Sequence, residues 1–286
     1  EDTGDAENTE RRELAENLYT DIGAATSWFN PELLALGEDT VRAFLAAEPG
    51  LAVHAFNLEQ ALRKGPHTLS EESENLLAKT GKFIGTPNTV YSVLANANLP
   101  WPTVTLSDGN PLRLSRSGYS IGRQARARED RKVVFDTFWG VWGDFEATLG
   151  ALMNAHMQAQ AFVSEVRNYD SALGKALFDD NMPEAVYRTL VSEVNAALPT
   201  LHRYFKLRKR MLEIDEDMRY YDIYPPLVAL DKRFSIEDSI ALTRRALEPL
   251  GEEYMAGYDR GIEGRWMHVY PSSGKRSGAY MSGGAY

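Results

Sequence analysis

Residues 128–166 read REDRKVVFDTFWGVWGDFEATLGALMNAHMQAQAFVSEV, and this stretch decides the fold class. Its inward residues recur at spacings of three and four, at Val134, Phe138, Val141, Phe145, Leu149, Leu152 and His156. That spacing places all of them on one face of an α-helix. It predicts a single long helix with a buried face, despite three glycines, and it predicts His156 as a hydrogen-bonded core histidine.

The helical period extends to both sides of this stretch. Residues 1–28 are predicted to open acidic and to become an amphipathic helix, whose apolar stripe comprises Leu14, Leu18, Ile22 and Ala25 and continues to Phe29. Shorter helices are predicted over about 38–48 and 52–64, and from Thr68 and Thr86 onward. Another is predicted over 183–211, with a kink at Pro199. Ser235 with Asp238 has the pattern of a capping box at the start of a further helix.

Two segments change to the alternating period of β-strands. Between residues 103 and 115, apolar and polar residues alternate on both sides of Asp108-Gly109, which predicts a β-hairpin. Residues 265–286 are predicted as a second hairpin, with an aromatic first strand and a glycine-rich return. The predicted fold class is therefore mainly α, with two small hairpins.

Composition excludes several functions. The 286 residues carry a net charge of −10, which argues against nucleic acid or an anionic membrane surface as a partner. No run approaches the roughly 18 apolar residues of a membrane span. There are no cysteines, which excludes disulfides and thiolate metal sites and fits a reducing compartment, so we expect a cytoplasmic protein. The chain begins without Met and its final hairpin lacks a neighbour, so we expect a piece of a longer protein.

Catalytic motifs are scarce. No two of the five histidines are four residues apart, so the H-E-x-x-H zinc motif is absent, although a site built from distant histidines stays open. His268, beside the glycine-rich end, has the strongest case for a functional histidine. No glycine-rich phosphate loop or nucleophile elbow occurs.

Two basic patches stand out in this acidic chain. They comprise Arg113, Arg116, Arg123, Arg126, Arg128, Arg131 and Lys132, and then Lys206, Arg208, Lys209 and Arg210. Arginines could clamp a carboxylate or a phosphate, but pairing with acids of the same chain is the favoured interpretation. The carboxylates at 215, 216, 217 and 222 are interpreted as a solvated helix end.

The sequence GKRSGAY at 274–280 is the most unusual stretch. Small residues in a strand let another backbone approach closely. Such an edge strand can hold an extended peptide through main-chain hydrogen bonds. On spacing alone, a glycine-rich hairpin that only turns the chain is an equally good interpretation.

Four segments carry a resemblance to a known family. They are HTLSEESE at 67–74, YDIY at 221–224 with PLV at 226–228, ALEPLGEEY at 246–254 and RWMHVYPSSGKRSGAY at 265–280. In this order they resemble the oligoendopeptidase F family, which belongs to the thimet-oligopeptidase-like zinc metallopeptidases. The last segment is similar to the one that precedes the family's zinc-binding helix.

The resemblance implies a helix-rich, clam-like peptidase with a deep channel, of which this chain is a part. Residues 1–125 resemble the family's amino-terminal region, and residues 126–286 the start of its catalytic region. The family holds one zinc ion through H-E-x-x-H and a downstream glutamate, and that motif would lie beyond Tyr286. Zinc is therefore expected in the longer protein, while this chain is expected to contain no metal ligand and no catalytic residue.

The resemblance also assigns a substrate-binding strand to Arg276, Ser277, Gly278, Ala279 and Tyr280. The implied function is zinc-dependent hydrolysis of short peptides by the longer protein, with this chain inactive by itself. Its partners would be oligopeptides and the missing carboxy-terminal catalytic segment. Two alternatives stay open, a non-catalytic helical module that binds peptides or proteins and a helical structural subunit without a ligand.

Overall fold

The structure, a computed structural model, describes residues 5–228, 234–267 and 269–270. These residues form fourteen α-helices and one two-stranded antiparallel sheet, which confirms the predicted mainly α class and the hairpin near 103–115. Two compact units are present. The first takes in Phe138–Tyr204 and the described residues up to Trp101, and the second takes in Pro102–Thr137 and the described residues from Phe205 onward.

The first unit contains most of the helices. They are α1 (Ala6–Ala25), α2 (Phe29–Ala35), α3 (Glu38–Ala47), α4 (Ala55–Arg63), α5 (Glu71–Lys79), α6 (Gly81–Ile84), α7 (Thr86–Val93), α10 (Glu146–Val166) and α11 (Ala172–Asp179). A π-helical turn over Leu94–Asn98 follows α7. Two further helices contribute residues to both units, α9 (Arg128–Gly143) and α12 (Glu184–Met211).

The second unit contains the sheet and the last helices. Its elements are β1 (Thr103–Thr105), β2 (Pro111–Arg113), α8 (Arg116–Gly122), α13 (Ile236–Leu247) and α14 (Glu252–Glu263). The turn and returning strand of the second predicted hairpin lie outside the described residues. The predicted boundary between residues 125 and 126 separates two regions of a protein family. The compact units are defined by packing and do not test that boundary, which stays a prediction.

The stretch predicted as one long helix is divided into α9 and α10. Helix α9 ends at Gly143, and α10 begins at Glu146. Phe138 and Val141 of α9 are buried, as predicted. Leu94, Leu99 and Val141 form the centre of a cluster that Trp101, Trp142, Phe145 and Leu149 cover. The face predicted from periodicity therefore packs as expected up to Leu149, although the backbone breaks within it.

Leu152 is half-buried like Leu149, but the predicted burial of the next position is wrong. His156 is exposed rather than a core residue. Met153 and Met157 on the same helix are each 62% exposed. The middle of α10 is therefore uncovered at His156, whereas Val163 and Ser164 near its end are half-buried and buried.

Helix α1 shows the same difference between pattern and packing. Its predicted apolar stripe is exposed, with Leu14 62% and Leu18 60% accessible. The helix contacts α5 and α6 through another face, where the Asn75 amide donates to the Ala24 carbonyl at 3.0 Å. An ion pair of 3.0 Å between Lys82 and Asp21 adds to this contact.

Helix starts follow the capping signals with one shift. Ser235 and Asp238 form the predicted capping box at α13, where the Asp238 backbone donates to the Ser235 hydroxyl at 3.0 Å. The predicted start at Thr68 is wrong, because Ser70 caps α5 and accepts from the backbone of Ser73. Thr68 instead donates its hydroxyl to the Lys64 carbonyl at 3.0 Å.

The β-hairpin has a three-residue turn. Val104 pairs with Leu112 in the antiparallel register. Gly109 adopts a φ of 82°, its amide donates to the Leu106 carbonyl, and the Leu106 amide donates to Asn110. This is a three-residue hairpin loop that ends in a left-handed glycine, which explains why the sequence has Gly at this position.

Helix α8 packs so closely against the hairpin and α9 that two of its positions require glycine. A Cβ at Gly122 would lie 2.7 Å from Leu112 Cδ2 and 2.8 Å from Val134 Cγ2. A Cβ at Gly118 would overlap the carbonyl oxygen of Arg113. Leu114 and Val134 are fully buried at this contact, which forms the core of the second unit.

Four helices end in the same way, with a residue other than glycine in the left-handed conformation. The residues after the last turns of α10, α11, α12 and α14 adopt φ between 52° and 58°, at Asn168, Asn181, Glu213 and Arg265. In each case the next residue donates back across the turn, as Ile214 does to the Lys209 carbonyl at 3.1 Å. Together with the bond that the Glu213 amide donates to the Arg210 carbonyl at 3.2 Å, the Ile214 bond forms the Schellman motif, which usually places glycine at the left-handed position.

Candidate functional site

A buried carboxylate organises the second unit. Asp222 lies in a helical turn over Tyr220–Asp222, within the YDIY segment that carries the family resemblance. It is 0% exposed, and Arg131 beside it is 3% exposed. A buried charge needs both a counter-ion and hydrogen bonds. We call Arg128, Arg131, Arg208 and Asp222 the Asp222 cluster.

Both oxygens of Asp222 are saturated. Oδ1 accepts from Arg131 Nη2 at 2.9 Å and from Arg128 Nε at 3.2 Å. Oδ2 accepts from Arg128 Nη2 at 3.1 Å and from the Arg219 amide at 2.9 Å. Burial by itself would raise the pKa of Asp222, but the bonds from Arg128, the Arg219 amide and Arg131 outweigh burial and hold it below 3.8. This carboxylate is therefore a fixed anion with no free lone pair for proton transfer.

The arginines of the cluster also bind the backbone of the same segment. Arg131 donates from Nε to the Tyr221 carbonyl at 3.0 Å. Arg208, which is buried, donates to the Asp222 carbonyl at 3.0 Å and also to the Pro225 carbonyl. Because guanidinium groups carry five donors in a rigid fork, they can fix a carboxylate and carbonyls together. Residues 221–225 are thus held by α9 and α12.

Aromatic contacts complete the setting of this segment. The Arg123 guanidinium lies 3.8 Å from the ring centroid of Tyr224, a cation–π contact. The hydroxyls of Tyr220 and Tyr224 are 3.1 Å apart, and that bond raises the pKa of Tyr220. The YDIY segment therefore contributes an anchoring carboxylate at Asp222 and a last tyrosine, Tyr224, that contacts Arg123 and Tyr220.

A second polar cluster lies in the first unit. His67 stacks on Tyr169, with ring centroids 3.6 Å apart and planes inclined by 11°. Its Nδ1 lies 2.9 Å from the Arg167 carbonyl, which can only accept, so Nδ1 carries the proton. Arg167 in turn forms two bonds to Glu74, at 2.9 and 2.8 Å. We call His67, Glu74, Arg167 and Tyr169 the His67 cluster.

The charges around the His67 cluster are compensated. Burial would raise the pKa of Glu74, but the bonds from Arg167 and from the Leu69 amide lower it overall. Burial would likewise raise the pKa of Asp179, but Lys175 and Lys64 lower it overall. A cavity of about 280 Å³ adjoins these side chains. The pairing makes this cluster a junction between α5 and α10 rather than a set of reactive groups.

The sequence-based interpretation of the charged patches is confirmed in part. Arg128, Arg131 and Lys132 pair with acids of the same chain, as favoured. The interpretation of the acidic group as a solvated helix end is wrong for Asp222, which is buried and paired. The sequence alone could not identify Asp222 as the partner of Arg131 and Arg128, because Asp222 lies 91 and 94 positions from them.

The predicted substrate strand, Arg276 to Tyr280, lies outside the described residues, as does His268. Within the described ranges, no three histidine, aspartate or glutamate side chains come together as a metal site would require. These residues do not fit a zinc ion, and no step through zinc follows from them. None of the described helices is both long and apolar enough to span a bilayer.

The chain belongs to peptidase family M3. The family model described as "Peptidase family M3" matches residues 122–286. The family model described as "Oligopeptidase F" matches residues 32–100. Oligopeptidase PepF of Bacillus subtilis is 35% identical over 284 residues, which cover 99% of this chain and 42% of that protein. Group B oligopeptidase PepB of Streptococcus agalactiae is 33% identical, covering 100% of this chain and 47% of that protein.

A solved structure supports the same relationship. The crystal structure of oligoendopeptidase-F from Enterococcus faecium superposes with a TM-score of 0.76 at 34% identity. The match covers 93% of this chain and 49% of that one. This chain therefore spans less than half the length of these relatives.

Proposed function

We propose that this chain is part of a zinc-dependent oligoendopeptidase that hydrolyses short peptides. The observation that carries the proposal is the alignment of 99% of the chain with oligopeptidase PepF of Bacillus subtilis at 35% identity. Zinc would polarise the scissile carbonyl and supply an activated water when bound. The family resemblance would place its ligands, an H-E-x-x-H motif and a downstream glutamate, in the rest of the longer protein.

In this proposal the chain supplies scaffold and substrate contacts. Residues 1–125 form the amino-terminal region and residues 126–286 the start of the catalytic region, which the two family matches support. Arg276 to Tyr280 would hold the peptide as an added strand. The chain by itself would be inactive and would need the carboxy-terminal catalytic segment. The cysteine-free sequence supports a cytoplasmic location, which cell fractionation would test.

Activity of the longer protein tests the proposal. A quenched fluorescent peptide of about eight residues is incubated with the longer protein and with residues 1–286. The longer protein should cleave it, lose activity to a chelator and regain it with zinc, while residues 1–286 should show no cleavage. A longer protein that binds the peptide without cleaving it would support the non-catalytic binding module instead.

The substrate strand has its own test in the longer protein. Gly278→Val adds bulk where a peptide backbone must approach closely, so turnover should fall at least about tenfold while zinc content stays at one ion per chain. Gly278→Ala should fall between the wild type and Gly278→Val. Equal loss of zinc and turnover would contradict a role in substrate binding.

A further inference from the structure

Helix α12 carries an apolar stripe that is exposed. Tyr187, Val191, Val194, Leu198 and Leu201 follow one another at spacings of 4, 3, 4 and 3 residues. Their exposure ranges from 36% at Leu198 to 54% at Val194, and Leu190 beside them is 61% exposed. Residues 187–201 belong to the first unit, so the stripe is continuous within one compact body.

This stripe has the form of a helix–helix contact surface. A repeat of 4 and 3 keeps apolar residues on one side of a helix, where a second helix can pack into them. The opposite side of α12 is polar, with Arg188, Ser192 and Arg203. A single-sided apolar face of this length is typical of a helix that is covered in the finished protein.

The length of the relatives indicates what covers it. The aligned relatives are more than twice as long as this chain, yet they match nearly all of it. More than half of the longer protein is thus outside this chain. From Tyr187 to Leu201, α12 extends for about 21 Å at 1.5 Å per residue, which one partner helix of about 15 residues would cover.

We propose that residues 187–201 of α12 are the docking face for an apolar-sided helix from the rest of the longer polypeptide. The inference rests on the proposed function only in assuming that this chain is part of a longer protein that folds as one polypeptide. It adds which surface of this chain joins the two parts and what kind of element binds there.

The absence of cysteine from the chain makes a direct test available. Val194→Cys and Leu198→Cys place single thiols on the stripe. Ser192→Cys is the matched control, because it lies nearly opposite Val194 on the helix and changes one atom. The labelling rate of each thiol is measured in residues 1–286 and in the longer protein, with peptide mass spectrometry to identify the labelled site.

The two stripe thiols should react at least about tenfold more slowly in the longer protein than in residues 1–286, because a covered thiol reacts only through local opening. The Ser192→Cys thiol should react at the same rate in both. The inference would be overturned if each of the three thiols reacted at the same rate in the longer protein as in residues 1–286. Protection that grows with the concentration of residues 1–286 would also overturn it, since a second copy would then be the occupant.

These outcomes are separate from those of the proposed function. Labelling requires neither zinc nor turnover. Protected stripe thiols in a longer protein that cleaves no peptide would contradict the peptidase proposal and leave the docking face standing. Unprotected stripe thiols in a longer protein that cleaves peptides would contradict the docking face and leave the peptidase proposal standing.

Discussion

At the scale of single residues, Asp222 fixes the conformation of the segment in which it lies. It joins two arginines of α9 to a segment that has little regular structure of its own. Removing one partner of a buried ion pair leaves the other charge without compensation, which costs far more than the pair contributes net. The value of Asp222 therefore lies in fixing one arrangement of residues 221–225.

Asp222→Asn should lower the free energy of unfolding of the second unit by about 3 kcal/mol, because Arg131 stays buried without its anion. Glu216→Gln is the matched control, since Glu216 also pairs with Arg128 but is 80% exposed. The control should change the stability by less than about 1 kcal/mol. The stability of both variants is measured by urea unfolding, with hydrogen exchange of peptides from residues 205–228 as the probe of the second unit. Similar losses in the two variants would contradict the assignment.

The same carboxylate gives a dependence on pH. Because the pKa of Asp222 is lower in the folded than in the unfolded chain, its stabilisation is complete above the ordinary value of 3.8. The stabilisation is lost as the pH falls through the lowered folded pKa. Wild type should therefore lose stability below about pH 4, and the difference from Asp222→Asn should shrink there.

At the scale of elements, the sequence predicted most helices but not where each one ends. Ser235 and Asp238 predict the start of α13, because a capping box is a local signal. The break after Gly143 lies within an unbroken apolar period, so periodicity alone could not predict it. Asp222 was misassigned for another reason, because the two arginines that bind its carboxylate lie on α9, 91 and 94 residues away in sequence.

Helix ends provide a further prediction. Glu213 adopts a left-handed conformation that costs a β-carbon roughly 1 kcal/mol, so Glu213→Gly should stabilise the second unit by about 0.5 kcal/mol after the entropy of glycine is deducted. Asn181→Gly is the matched control, because asparagine tolerates this conformation and should gain less. Thermal unfolding of each variant measures the effect. A loss of stability for Glu213→Gly would show that its side chain contributes more than its backbone costs.

At the scale of the whole molecule, the exposed apolar stripe of α1 shows why burial cannot be predicted from a sequence pattern alone. A sequence pattern reports which face of a helix is apolar, while burial depends on what packs against that face. His156 follows the same logic on α10. The candidate substrate strand was reached only through family resemblance, since the spacing of its residues fits a simple turn equally well.

Metal removal distinguishes this chain from the longer protein. A ligand that binds only the folded state raises its melting temperature, so a chelator should lower the melting temperature of the longer protein by several degrees. Residues 1–286 should melt at the same temperature with or without the chelator. Differential scanning calorimetry measures both. A chelator-sensitive transition in residues 1–286 would reveal a metal site within this chain and contradict the proposal that zinc is held elsewhere.

The Asp222 cluster also bears on how the chain can vary in length. Its bonds from Arg131 and Arg128 close loops of 91 and 94 residues. The entropy of closing a flexible loop grows with the logarithm of its length, so even a doubling costs only about 0.6 kcal/mol. Insertions between α10 and α12 should therefore change the free energy of loop closure very little. Asp222→Asn, which replaces a single oxygen of the carboxylate, should have a far larger effect. We therefore expect variants with lengthened loops between α10 and α12 to keep the Asp222 cluster, whereas Asp222→Asn should disrupt it.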